Sequence, residues 1–401
     1  MAVSLHELIQ PQIILKVISR IKTHQSRLSK WLGFQPTRFD PDKPTISGPN
    51  TVESYGRQGT YRIYDNTRTI ATFKSPGSGP AVTFQQPVGS VQYTYARVHE
   101  KMILDYESLG NLSPLVGPNA QIDANGENYI ARQLKTLGQR MNNAVSAMAA
   151  GLMRGGFYLV MVGDRWEIRF SAPSAGTAYN YINYRVPAGN LAQLNMLGTG
   201  NIIDVTWLNA AATIVKHLMS IKSAQVQLSG YMVEHAWITS LMWYNLISNT
   251  EVRNTAGTAA TPYAEYDYVE ETDMEGGKVS EFAAILKADP TITWHISDEG
   301  LVFGPGVGDP VTSSGAGTFT KIIPDTNAWF LPTADSDWVQ MGYGSEPVVE
   351  YQGPTAGVQR SGYYAWHKYV DQPSGVELLS LLNCLPFLYI PNVLVNGTVV
   401  F

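Results

Sequence analysis

The side chains with most chemical potential in this sequence are its seven histidines, its one cysteine and its 33 acids. Their spacing decides whether they can act together. His6, His24, His99, His217, His235, His295 and His367 form no H-x-x-x-H pair and no H-E-x-x-H motif, so a zinc centre would have to arise from three-dimensional convergence alone. Each reads as a structural histidine. "GPGVGD" at 304–309 lacks the Lys and Ser/Thr of a phosphate loop and the spacing of a dinucleotide fingerprint, and reads as a plain loop. No G-x-S-x-G elbow occurs. "EYDYVEETDMEGG" crowds Glu265, Asp267, Glu270, Glu271, Asp273 and Glu275 together off the EF-hand register, which predicts a solvated loop, or one facing basic groups of a neighbour. Cys384 stands alone, which excludes an internal disulfide and fits a reducing compartment. The expectation is no enzyme, no metal and no cofactor, and a function carried by surfaces.

Composition agrees with that. Charged residues make up 15% of the 401, against about 25% in ordinary globular chains, so much of the surface is uncharged and available to partners. The net charge of −5 argues against wrapping nucleic acid through an overall positive field. No run of about 20 apolar residues is present to span a bilayer. The apolar segment near the start carries its positive charges within and after it, unlike a secretory signal.

Residues 3–32 place Leu5, Leu8, Ile9, Ile13, Ile14, Val17, Ile18 and Ile21 at helical spacing, with Pro11 as a break. Lys16, Arg20, Lys22, Arg27 and Lys30 make this arm basic, with no acid between Glu7 and Asp40. Three readings are open for it: a helix packed on a sister subunit, an inward arm touching nucleic acid or a scaffold, and a helix on a membrane surface. Residues 35–58 run as an extended Pro/Gly-rich linker.

Residues 59–98 alternate as two strands around the turn "SPGSGP". About 15 residues per strand at about 3.3 Å each reach about 50 Å, far beyond the ~21 Å radius of gyration of a compact chain of this size. An isolated ribbon is marginal in water, so the sequence predicts that this one leans on another copy, with Tyr61, Ile63, Phe73, Lys74, Phe84, Tyr93 and Tyr95 as the contact. Next, Ile130, Leu134, Leu137, Met141, Val145, Met148 and Leu152 trace one stripe of a long helix ended by Gly155-Gly156 and followed by a hairpin turning at Gly163-Asp164. Burying seven such side chains is worth about 10–20 kcal/mol before entropy.

From Asp204 the pattern predicts alternating helices and strands: a helix capped by Asp204 over 205–222, a strand at 224–233, a helix at 234–247, a helix at 279–288 and a strand at 291–297. Trp207, Trp237, Trp243, Trp294 and Trp329 lie in apolar runs and read as core. Residues 356–401 return to β structure, which would rejoin the sheet beside the long helix.

In this order the elements resemble the major capsid protein of a tailed bacteriophage, with the lambda-type capsid protein E family of the Hong Kong 97-type fold as the nearest. The residues carrying the resemblance are "IARQLKTLGQRMNNAVSAMAAGLMRGGFYLV", "IIPDTNAWFLP" and "LLSLLNCLPFLYIPN". It implies an α+β chain with an N-terminal arm at 1–58, an extended loop at 59–98, a peripheral domain at 99–204 and 356–401 with its spine helix near 127–154, and an axial domain at 205–355. It also implies hexamers and pentamers closing into a virion shell around double-stranded DNA, assembled in the host cytoplasm. Scaffold, cement and portal proteins would be partners, and no membrane. Some relatives cross-link a loop lysine to an asparagine. Lys74, Asn392 and Asn396 are the residues in question, but no acid follows Glu377 to assist, so no cross-link is expected. A nanocompartment shell holding protein cargo is the alternative, and an enzyme within 205–355 is the reading from another class.

Overall fold

The computed structural model describes residues 26–34, 49–54, 56–64, 89–105, 124–162, 165–256, 264–272, 278–303, 318–348, 358–360, 363–371 and 374–401. Lys16, Arg20, Lys22, Phe73, Lys74 and Phe84 lie outside them. The described residues form an α+β structure.

A short helix, α1 (Arg27–Trp31), is capped by Ser26, whose hydroxyl accepts from the Ser29 amide at 3.2 Å. Then come β1 (Thr51–Ser54) and the pair β2 (Gln58–Ile63) and β3 (Gly89–Thr94), followed by β4 (Ala96–Asp105). The spine helix α2 (Ala124–Met153) follows, running three residues further N-terminal than its sequence pattern indicates. Leu137, Met141, Val145, Met148 and Leu152 of its apolar stripe are buried, as the 4-and-3 spacing requires. Gly155, at φ +82°, supplies the left-handed stop. The chain then returns as β5 (Gly156–Val162), β6 (Arg165–Arg169) and β7 (Tyr179–Asn183), a three-stranded antiparallel sheet. Phe157 lies so close to the helix that a Cβ on Gly151 would meet its ring at 2.5 Å. At the helix end, Arg154 reaches across to donate through Nη2 to the carbonyls of Lys321 and Ile322, both at 3.0 Å, over the Phe170 ring. Burial lowers its pKa to about 10.

The remaining elements are β8 (Leu191–Ala192), α3 (Ile214–Ser229), β9 (His235–Ile238), α4 (Ser240–Ser248), α5 (Thr250–Ala256), β10 (Ala264–Thr272), β11 (Lys278–Leu286), β12 (Asp289–Ile296), β13 (Gly300–Phe303), β14 (Thr318–Lys321), β15 (Asn327–Leu331), β16 (Val339–Gly344), β17 (Glu346–Val348), β18 (Val358–Arg360), β19 (Tyr363–Asp371), β20 (Ser374–Leu388) and β21 (Val395–Thr398). One sheet runs β1-β16-β20-β19 with β4 also paired to β20. Residues 380–388 of β20 are buried, with the spine helix against them: the sulfurs of Cys384 and Met148 are 4.0 Å apart. Of the C-terminal strands, β20 thus lies beside the spine helix, as expected, while β21 joins the other sheet. A second sheet runs β10-β11-β12-β9-β15-β21-β8.

The second sheet is the wall between two cores. Along β9 and β15 alternate side chains point to opposite faces. Trp237, Trp329 and Leu331 join the core of the spine helix, whereas Ala236, Ile238, Ala328 and Phe330 join the core covered by α3, α4 and α5. All five tryptophans read as core are buried.

Several local expectations fail. Residues 205–213 are not helical; α3 starts at Ile214, its N-cap is Thr213, and Asp204 instead faces His217 at 2.9 Å. The predicted strand at 224–233 is largely the end of α3, which runs on until Gly230 turns left-handed at φ +80°. The predicted helix at 234–247 begins as β9, and the predicted helix at 279–288 is β11, paired on both sides by β10 and β12. Four of the clustered acids, Glu265, Asp267, Glu270 and Glu271, sit on strand β10 rather than in a loop. Sheet membership also crosses the expected domain limits: β16 pairs with β20, while β21 pairs with β15 and β8.

His217 shows what a buried histidine does here. The Trp207 indole N–H can only donate, and it gives to Nδ1 at 3.3 Å, so the ring proton sits on Nε2 and is donated to Asp204. That bond holds the Asp204 carboxyl below its ordinary range. His217→Leu leaves the buried indole N–H without an acceptor and is expected to cost about 1–3 kcal/mol. Urea unfolding of the variant checks this.

Candidate functional site

Two places gather the residues that sequence reasoning selected: the root of the ribbon and the segment at 26–34. At the root, β2 and β3 pair from Gln58↔Thr94 to Ile63↔Gly89. The two-residue period sorts their faces. Tyr61 and Ile63 are buried and Val91 and Tyr93 half-buried on one face, while Gln58, Thr60, Arg62, Ser90, Gln92 and Thr94 are exposed on the other. The inner face leans on this chain's own β20. Phe387 stacks on Tyr61 at 4.9 Å between ring centroids and lies 4.6 Å from Tyr93, and Tyr389 meets Tyr61 edge-on at 5.8 Å. The Tyr64 amide donates to the Tyr389 carbonyl at 2.8 Å.

Glycines make this seating possible. A Cβ on Gly59 would meet the Tyr93 hydroxyl at 2.4 Å, one on Gly342 the Phe387 ring at 2.3 Å, and one on Gly344 the Tyr95 ring at 2.4 Å. Each aromatic ring therefore lies flat over bare backbone, the arrangement by which aromatics compensate glycine in strands. Tyr95 closes the cluster through its hydroxyl, 2.5 Å from the Ser54 Oγ. Burial pushes the Tyr61 and Tyr389 phenols up to about 12 and raises Tyr95 as well, so these three phenols are neutral at physiological pH.

Tyr61, Ile63, Tyr93 and Tyr95, expected to meet another copy, are seated within the chain on this chain's own body. Their apolar surface is large enough to need covering, and β20 of the same chain covers it. The ribbon root is covered on one face only, and its outer face is polar.

The segment at 26–34 corrects a second expectation. Arg27, predicted on a basic inner surface, is 8% exposed. Its Nη1 donates to the Ile296 carbonyl at 2.7 Å, and its amide donates to the Glu299 carboxylate at 3.0 Å. Lys30 is half-buried. Leu28, Leu32 and Phe34 belong to the core of the spine helix. Of the asparagines considered for cross-linking, Asn396 is buried and accepts from Asn327 Nδ2 at 2.7 Å.

A group of exposed apolar side chains escaped sequence reasoning. On the sheet β6-β5-β7, Met161 and Trp166 are exposed on one face and Val162, Tyr179 and Tyr181 on the other, each 39–51% exposed. Alternation within β7 was the available signal, but "YNYIN" is too short to orient by itself. Among the described residues no three His, Cys, Asp or Glu gather into a metal-binding group, and no helix is long and apolar enough to cross a membrane.

The family model for phage major capsid protein E matches residues 201–399. No curated protein matches the chain. Among solved structures, one described as the capsid protein of a prophage of E. coli CFT073 is 12% identical with a TM-score of 0.49, covering 100% of this chain and 99% of that one. The capsid of the cyanophage Pam1 is 12% identical with a TM-score of 0.41, covering 94% of each chain. The encapsulin SrpI of Synechococcus elongatus is 10% identical with a TM-score of 0.38, covering 87% of this chain and 84% of that one.

Proposed function

We propose that this chain, whose residues 201–399 match the phage major capsid protein E family, builds the icosahedral head shell of a tailed phage as hexamers and pentamers of the Hong Kong 97-type. The observation that carries this reading is the family match over residues 201–399. Three structural features support it. The spine helix is a 30-residue beam packed along β20. The ribbon root is clamped at one face to its own body and exposes a polar face on the other. The exposed Tyr179 and Tyr181, side by side on one face of the sheet β6-β5-β7, supply uncovered apolar surface for a second copy.

In this proposal the contact with the next copy is made by ribbon residues Phe73, Lys74 and Phe84 rather than by the tyrosines of the root. The arm residues Lys16, Arg20 and Lys22 face packaged double-stranded DNA non-specifically, while Arg27 does not. Residues 1–58, 59–98, 99–204 with 356–401, and 205–355 act as arm, extended loop, peripheral and axial parts, with β16 and β21 exchanged between the last two. Scaffold, cement and portal proteins are the partners, and assembly takes place in the host cytoplasm.

Native mass measurement and negative-stain microscopy of the purified chain test this. Closed particles of on the order of a hundred copies are expected, their formation favoured by a scaffold. A uniform oligomer of a few copies would sink the proposal, and closed shells that capture a protein cargo but exclude DNA would favour a nanocompartment.

A further inference from the structure

We propose that residues 26–34 are held on the second sheet by an acid-sensitive latch made of His235 and His295. The two histidines lie on one face of neighbouring parallel strands, where His235 pairs with Thr293 and His295 with Trp237. Their rings face each other, with His235 Nδ1 3.0 Å from His295 Nε2. One nitrogen of that pair must donate and the other accept, so the contact requires a free lone pair on at least one ring. His295 also stacks on Trp237 at 4.4 Å and 15°.

What covers the pair is the segment itself. Trp31 of α1 stands edge-on to His235 at 5.1 Å and to Trp237 at 5.6 Å, and lies 6.0 Å from His295. The other side of the segment is fastened to the spine helix, where Ser29 Oγ donates to Ser146 Oγ at 3.3 Å, and to the β1 side, where Asn50 donates to the Leu32 carbonyl at 2.8 Å. The segment is a wedge between the spine helix and the second sheet, and the histidine pair is the titratable part of its seat.

The charged groups around the pair decide the sign. His235 and, from the segment, Arg27 both disfavour a positive charge on His295. Glu234 at the start of β9 favours charge on His235, but its carboxylate also accepts a hydrogen bond from Thr333, whose hydroxyl lies 3.3 Å from His235 Nε2. Glu299 is engaged by the Arg27 amide. Burial dominates at both rings, lowering His235 and taking His295 to about 3. Because the docked values lie below the ordinary value of about 6.5, stability of the docked state is fully present above that pH and is lost as pH falls towards 3. Lifting the segment wets the pair and restores the ordinary value, so acid favours the lifted state.

Hydrogen exchange of the full chain tests this through the amides of Lys30, Leu32 and Phe34, which donate to Ser26, Leu28 and Ser29 within the segment. After correction for intrinsic rates, their protection is expected to fall on the order of 25-fold between pH 7 and pH 5 from His295 alone. Amides at 141–153 in the spine helix should hold. The double variant His235→Gln/His295→Gln keeps hydrogen-bonding side chains without titrating, and should lose the response. Protection at 28–34 that is unchanged in the wild type, that falls in step with the spine helix, or that falls equally in the double variant would overturn the latch. If the double variant does not fold, the wild-type comparison between segment and spine decides alone.

Discussion

Trp329→Ala is expected to cost about 3–5 kcal/mol of stability, the range for removing a large aromatic from a packed interior. Trp329 is fully buried on β15, directly opposite Trp237 of β9. Both indoles face the core that holds the spine helix, while the next residue, Phe330, faces the other core. A cavity at this position therefore loosens the wall from one side without touching the packing on the other. Denaturant unfolding should show a lowered midpoint with little change in slope. Trp166→Ala is the informative contrast: that ring is 47% exposed on β6, so a change within about 0.5 kcal/mol is expected, although assembly should suffer if the surface around it seats another copy.

Phe387→Ala should release the ribbon. The Phe387 ring contacts Tyr61 and Tyr93 and fills the space left by Gly342. Its loss is expected to cost about 3–5 kcal/mol, with most of that felt locally, because the β2–β3 pair has no other described sheet partner. Amides at 58–63 and 89–94 should exchange much faster while those of α3 stay protected. Were the root instead held by a neighbouring copy, the isolated variant and the isolated wild type would exchange alike at those positions. Exchange mass spectrometry of unassembled protein distinguishes the two.

The parts of this structure legible in the sequence are those whose pattern is set by one dominant interaction. The spine helix is one: its apolar residues recur at steps of three and four because a single face is buried, and Gly155 can adopt the left-handed stop. The tryptophans are another, since so large an apolar surface is rarely left in water. Where a segment's conformation is decided by distant partners, local pattern misleads. "VSEFAAILKA" spaces Val279, Phe282 and Ile285 like a helix, yet it becomes β11 because β10 and β12 offer it a ladder on each edge. "AQVQLS" alternates like a strand, yet it stays helical because Gln225 is buried and donates to the Val393 carbonyl at 2.6 Å. The ribbon tyrosines read as contact residues, but their seat on Phe387 cannot be read locally: Phe387 lies more than 290 positions from Tyr93 along the chain, and no local pattern links them. The same holds for Arg27, whose acceptor on Ile296 is 269 positions away.

The position of β21 bears on how the protein comes off the ribosome. Residues 395–398 lie inside the second sheet, between β15 and β8, and Val395 is fully buried. Until they emerge from the exit tunnel, β15 presents a bare edge and the core beside it is open to water. A nascent chain in this state offers a template for strand pairing with other nascent chains, so its safe interval depends on translation speed and on chaperone cover. Slowing synthesis between the codons of β15 and those of β21 should raise the insoluble fraction far more than the same pause placed before β15.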